Sequence, residues 1–366
     1  MGGTASAPGT TDGRTLAGPV DLPTSTPLPP STAGRWTGFF RGHPIVCLAI
    51  LTPGIPEYLS TSSPLLNLVV NPAGFLLGLA INVAQYTGGA LLVREAWVRW
   101  RLGWPGVTAL ALAYGVTEEG LGDNTLFNST GHVDGILGHY GRFAGVNWVW
   151  SVGVLAFHVI CSIGIPIVIL GLALPATRGR SLLGPRGVAA AFAAVAASTG
   201  LETAIVWGSD RFWMGAPLLV GALVVIAVLV AVARFLPRDV GAPTGVQPTL
   251  GPRTAAAIGF SVFPVLFVLE YGVGPLGVPS AALIGIELAV LLLFIELGRR
   301  SIGRQDHDRV LVDLSFGFVL WVAVFGVLLT VGLPYTLPLV GVAVLFFVRL
   351  RRTYGPVVPT PGGSST

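Results

Sequence analysis

Ten long apolar stretches separated by short polar segments set the pattern of the chain. They run over 43–61, 70–93, 104–124, 148–172, 187–208, 213–235, 254–271, 279–297, 310–331 and 335–350. A helix rises 1.5 Å per residue, so about 20 apolar residues cross a hydrocarbon core of about 30 Å. Each stretch is therefore predicted to be a transmembrane helix, and the expected fold class is an all-α polytopic bundle. Pro53, Gly54 and Pro56 predict a kink or break in the first span.

The polar segments give the organisation. Residues 1–42 read as a cytoplasmic tail, disordered where Gly, Pro, Ser and Thr dominate, with no apolar run that would serve as a signal peptide. A first bundle of six helices is expected over 43–235. A linker carrying Pro237, Pro243, Pro248 and Pro252 is expected over 236–253. A second bundle of four helices follows over 254–350, and a short disordered tail over 351–366. The broken first span has no counterpart in the sixth, so the chain shows no inverted five-plus-five repeat.

Composition narrows the class. The chain has 366 residues, of which 52% are hydrophobic and 10% charged. An average soluble domain carries about 25% charged residues, so a soluble protein and a wholly disordered one are both excluded. Every basic residue other than histidine is an arginine, and the arginines alternate in position. Nineteen fall before the first span or after the second, fourth, sixth, eighth and tenth, and only Arg142 and Arg211 fall on the opposite side. The positive-inside rule then places both termini in the cytoplasm and the protein in the plasma membrane. The net charge of +4 is dispersed between apolar runs, so the expected partner is the lipid bilayer and not nucleic acid. Cys47 and Cys161 both lie inside apolar segments and imply no disulfide framework.

Charged side chains inside a membrane cost a few kcal/mol each even on lenient insertion scales, so they mark function by default. Counting along the spans places Glu57, Glu118, Glu119, His158, Glu202 and Glu287 at similar depth in the outer half. Glu118 and Glu119 are adjacent, point about 100° apart on a helix, and favour sharing a proton between them. They are candidate acid–base or ion-binding groups, with His158 and Asn147 as catalytic partners. Asp123, Arg142 and Ser162 join Glu57, Glu202 and Glu287 as polar or ion-coupling candidates. Glu95 and Glu296 neighbour arginines and read as interfacial pairs, and Glu270 and Asp210 read as solvated span ends. The spacing of His132, Asp134 and His139 matches no zinc pattern. No metal site is expected, and the sequence names no cofactor.

Two resemblances follow from these residues. The segment Tyr114-Gly115-Val116-Thr117-Glu118-Glu119-Gly120, the run from Gly138 to Trp150, and His158 with Ile165-Pro166-Ile167 resemble a family of uncharacterised prokaryotic multi-pass membrane proteins. That likeness covers about a third of the chain and implies the fold without an activity. The Glu118-Glu119 pair followed by His158 also resembles the CAAX protease and bacteriocin-processing family of intramembrane proteases. It implies that Glu118 or Glu119 is the catalytic glutamate and that His158 orients water. Asp123 stands where that family has arginine, Ser162 where it has asparagine, and Val154 where it has phenylalanine.

Two functions emerge nearly level. One is a membrane-embedded hydrolase acting on a membrane peptide, with Glu118 or Glu119 as general base, His158 holding the oxyanion or the water, and Asn147 and Ser162 supplying hydrogen bonds. The other is a secondary transporter of a small solute coupled to protons or ions, in which Glu57, Glu202 and Glu287 also take part. A scaffold with no chemistry would instead pair each buried acid with Arg, Asn or backbone.

Overall fold

The computed structural model describes residues 35–130, 136–237, 250–302, 307–330 and 336–354. His132, Asp134, both expected tails over most of their length and residues 238–249 of the expected linker lie outside the described residues. The described chain is all-α, apart from a two-stranded antiparallel hairpin of Arg142–Phe143 with Val146–Asn147.

Among the described residues, seven helices are long and apolar enough to cross a membrane. Ten helical segments are labelled here in chain order. They are α1 (Pro44–Leu59), α2 (Pro72–Trp100), α3 (104–122), α4 (Trp148–Ala173), α5 (Pro185–Asp210), α6 (Gly215–Phe235), α7 (Pro252–Leu276), α8 (Ser280–Ser301), α9 (His307–Leu329) and α10 (Leu337–Thr353). The seven of membrane length are α2 and α4 to α9. The apolar windows of α6 and α8 are each only 11% buried within the protein. On α8, Leu292, Leu293 and Ile295 are exposed. Contiguous apolar surface on that scale requires an apolar surrounding, which is lipid.

Five stretches inside these helices widen from α to π winding: Gly54–Leu59, Val83–Thr87, Val116–Gly122, His158–Gly164 and Leu269–Val273. Proline explains two of them. Pro53 and Pro56 lack a backbone N–H, and α1 takes up the loss by widening, where the sequence predicts a kink or a break. In α4 the widened turn runs up to Ile165-Pro166, where the α-helix restarts with proline near its first position. Single π turns of this kind recur at functional sites.

Two apolar cores meet on α4. One joins α2, α3 and α4 through residues such as Ala90, Leu110 and Leu170. The other joins α1, α4, α7, α9 and α10 through Leu59, Ile169, Val262, Val322 and Phe347. Helices α7 and α9 cross closely because Gly259 and Gly317 each face the other helix's backbone, with no room for a side chain.

A polar anchor fixes one end of α2. The expected Glu95 pairs with Arg94 and Arg99 are present at 3.4 and 3.1 Å, but Glu95 is buried and not merely interfacial. It also accepts from the Leu182 N–H at 2.6 Å, while Arg94 donates to the carbonyls of Thr177 and Arg180. The α4–α5 connection is thereby clamped onto α2. Glu296 pairs with Arg299 and Arg300 near the end of α8, as the sequence suggests.

Candidate functional site

Four of the π turns carry the side chains that converge. Glu57 comes from α1, Tyr86 from α2, Glu118 and Glu119 from α3, and His158 and Ser162 from α4. A π turn inserts a residue into the helical ladder and re-aims the side chains after it. In α3 the last turn closes with the Asp123 N–H on the Glu118 carbonyl at 2.8 Å.

At the centre His158 Nε2 lies 2.7 Å from Glu119 Oε1 and 2.9 Å from Glu118 Oε2. The three side chains are 2%, 7% and 4% exposed in the order His158, Glu119, Glu118. One Nε2–H serves only one acceptor, and it is directed at Glu119 Oε1. Glu118 Oε2 stays close to the same nitrogen with no donor of its own among the described residues.

Hydroxyl groups hold the far atom of each. The Tyr86 hydroxyl is within 2.9 Å of Glu118 Oε1, the Thr125 hydroxyl donates to Glu119 Oε2, and Ser162 Oγ lies 3.0 Å from His158 Nδ1. The Tyr86 oxygen also sits 2.6 Å from Glu57 Oε1, and Ser63 donates to Glu57 Oε2 at 2.8 Å. Asn82 then donates to Ser63 at 3.1 Å, and at the other end Trp150 donates to the Thr125 hydroxyl at 2.9 Å. The result is one polar chain from half-buried Glu57 to buried Glu119, hydrogen-bonded along its length except at the close contact between Glu118 Oε2 and His158 Nε2. The rings of Tyr86 and Tyr114 flank His158 at centroid separations of 6.1 and 6.0 Å.

The remaining candidates fall elsewhere. Glu202 on α5 is buried beside the site, and its carboxylate occupies the space over Gly122, where any Cβ would collide with it. Asp123 is half-buried at the end of α3. Asn147 makes no contact with the centre. It caps α4, accepting from the Trp150 N–H at 3.1 Å and donating to the Leu137 carbonyl. Arg142 is equally structural. Its guanidinium donates to the carbonyls of Gly138, Phe127, Gly145 and Asn128, and burial lowers its affinity for its proton. It therefore neutralises none of the buried acids.

Glu287 belongs to a second acidic place. It is fully buried on α8 with neither oxygen hydrogen-bonded among the described residues. Glu270, read from the sequence as solvated, is also buried, because α7 continues past it and its carboxylate packs on Gly153 of α4. Tyr140 of the α3–α4 connection is nearby. Burial, and then the Glu287 charge, raise its phenol above the usual range, and its hydroxyl donates to the Val278 carbonyl at 2.6 Å.

Tyr86, Thr125 and Ser63 are absent from the sequence-based candidates. For Tyr86 a signal exists: Asn82, Gln85 and Tyr86 lie at i, i+3 and i+4, one polar stripe on an otherwise apolar helix. Gln85 uses it to meet Ser198 and Thr199 of α5, at 2.5 and 3.2 Å. Compared with protein-family models, curated proteins and solved structures, the chain finds no match.

Proposed function

We propose that the chain crosses the plasma membrane ten times with both termini in the cytoplasm, and that it is a proton- or cation-coupled secondary transporter. The ten helical segments and the arginine alternation support the topology. The observation that carries the function is the chain of hydrogen bonds Ser63–Glu57–Tyr86–Glu118 and Glu119–Thr125, joined at His158. It links a half-buried carboxylate to a fully buried acid–base centre across four helices. Chains of Glu, Tyr and His inside a membrane move protons in pumps and transporters. The excess of acid over base in the cluster also favours taking up a proton or a cation, since unpaired buried charge is costly.

A membrane-embedded hydrolase is the second reading. The Glu119–His158 contact at 2.7 Å, with Ser162 behind the ring, supports it, since a general base needs such an oriented partner. Transport ranks first because both carboxylates already contact His158 Nε2 directly, and because Glu57 and Tyr86, which hydrolysis does not need, are part of the same chain.

Everted membrane vesicles containing the protein and a pH-indicating dye separate the two. A pre-formed proton gradient is challenged with inorganic cations and small organic solutes in turn. Coupled transport collapses the gradient on addition of the right solute, and Glu118→Gln and Glu57→Gln abolish the response. A response that survives both variants overturns the transport reading. Accumulation of unprocessed membrane peptides in a deletion strain, cured by wild type but not by Glu119→Gln, establishes the hydrolase instead.

A further inference from the structure

We infer that Glu118, Glu119 and His158 form a three-ligand site for a divalent first-row transition-metal cation, bound in exchange for protons. The inference deepens the transport reading by naming the class of solute, and it rests on that reading only for the cation's being cargo.

Three features of the geometry carry it. First, Glu118 Oε2, Glu119 Oε1 and His158 Nε2 all lie within 4.8 Å of one another, close enough to share one ion. The nitrogen is 2.9 and 2.7 Å from the two oxygens. Bonds of about 2.1 Å at right angles space neighbouring ligands by about 3.0 Å, so the nitrogen needs to move from each oxygen by only a few tenths of an ångström.

Second, the hydrogen-bond inventory at the centre is incomplete without a cation. One Nε2–H cannot satisfy two carboxylate oxygens, and Glu118 Oε2 is buried without a directed donor. A cation placed among the three atoms meets all of them at once.

Third, each ligand is held from behind. Tyr86, Thr125 and Ser162 bind the far atoms of Glu118, Glu119 and His158 respectively. Outer partners of this kind orient metal ligands, fix the histidine tautomer and raise ligand basicity. The Ser162 contact at Nδ1 leaves Nε2 as the coordinating nitrogen.

The chemistry of the set selects the ion class. One imidazole with two carboxylates disfavours calcium and magnesium, which take oxygen alone, and the absence of sulfur from the set disfavours Cu(I). Mn2+, Fe2+ and Zn2+ accept mixed nitrogen and oxygen donors. Charge agrees: two carboxylates, a neutral imidazole and a divalent ion sum to zero, the cheapest state in a low-dielectric interior. The balance of the exchange is simple. His158 enters the exchange as an imidazolium, with Nε2–H on Glu119 and Nδ1–H on Ser162 Oγ. The metal takes the Nε2 lone pair, the Nε2 proton leaves together with any proton shared by the carboxyls, and a neutral imidazole protonated at Nδ1 remains. Tyr86 and Glu57 provide the hydrogen-bonded route away from the centre.

The full chain in detergent is titrated with Mn2+, and free Mn2+ is read from its electron paramagnetic resonance signal. Wild type is expected to bind a single Mn2+ at neutral pH with proton release into a weak buffer, and Zn2+ is expected to displace it. Binding is lost in the Glu118→Gln/Glu119→Gln double variant. It is weakened about tenfold in Ser162→Ala, which keeps all three ligands and tests orientation without deleting one. Glu296→Gln, at the far end of α8, binds as wild type does. Binding that is no tighter in wild type than in the double variant, or that Ser162→Ala leaves unchanged while wild type and variant elute alike, overturns the site. If Mn2+ binds as expected and yet leaves the vesicle proton gradient intact, the site stands and the transport reading falls. If another solute collapses the gradient and Mn2+ does not bind, the reverse holds.

Discussion

His158 Nε2 lies 2.7 Å from Glu119 Oε1, and this contact ties α4 to α3 at the point where both helices widen into π turns. Both side chains are buried. Each is therefore committed to the other and to the hydroxyl behind it, which makes the pair sensitive to loss of one atom at a distance.

Tyr86→Phe removes one oxygen that bridges Glu57 and Glu118. The ring and its packing on His158 remain. The expected outcome is a proton response at least tenfold slower in the vesicle assay. Stability is expected to fall by about 1–3 kcal/mol, the range for leaving a buried acceptor unsatisfied. Thermal unfolding in detergent measures the second effect separately.

Gly122→Ala places a methyl group on the Glu202 carboxylate. Overpacking costs about 1–3 kcal/mol, and the low end, about 1 kcal/mol, is expected because the methyl meets the end of a flexible side chain. If the collision is the cause, Glu202→Ala in the same chain recovers most of the loss. A double-mutant cycle by thermal unfolding reads the coupling, which is near zero if Gly122 matters only for its backbone.

Asn147→Ala is expected to behave as a structural change. The loss of a helix cap costs about 1 kcal/mol, with a further loss from the Leu137 carbonyl that it serves. Melting temperature falls while Mn2+ affinity and gradient collapse, measured per folded protein, stay at wild-type values. The same measurements on Ser162→Ala show the opposite pattern, a small change in melting with a marked loss of affinity.

Arg94→Ala leaves Glu95 buried and short of one partner, and frees the Thr177 and Arg180 carbonyls. Breaking one side of a buried ion pair typically costs about 3–5 kcal/mol. The prediction is a large drop in melting temperature and earlier proteolysis in the α4–α5 connection, with the Glu118–His158 centre unaffected in the protein that remains folded.

Lowering the pH is expected to weaken Mn2+ binding at every step, because the ligands bind the metal only in their deprotonated forms. The sign follows from competition. Protons and metal claim the same three atoms, so affinity rises with pH. Titrations of wild type at several pH values measure it, and affinity that is flat or falls with pH contradicts the exchange.

The helical class and the seven helices of membrane length are legible because a membrane imposes long apolar runs, which are local in sequence. The depth count brought out Glu118, Glu119, His158 and Glu57, because helical rise converts position into height. Lateral placement is different in kind. It depends on helix rotation, and a π turn shifts that rotation in a way that residue propensities do not encode. The count assigns Glu202 and Glu287 the same height as the centre, yet Glu202 lies behind Gly122 and Glu287 lies beside Glu270. Asn147 looked catalytic because it stands in a polar loop near His158 in sequence, whereas its geometry is that of a cap. Tyr86 was hidden for the opposite reason. Its span carries no buried charge at that point, and only the Asn82–Gln85–Tyr86 stripe betrays a polar face.

Infrared difference spectroscopy after a pH jump tests the central claim most directly, since it reads buried carboxyl groups as they gain and lose protons. A proton-carrying chain gives a protonated-carboxyl band that Glu118→Gln removes and Tyr86→Phe shifts, because the Tyr86 hydroxyl is in hydrogen-bond contact with that carboxyl. A spectrum that neither variant changes would contradict a proton-carrying chain through Glu118.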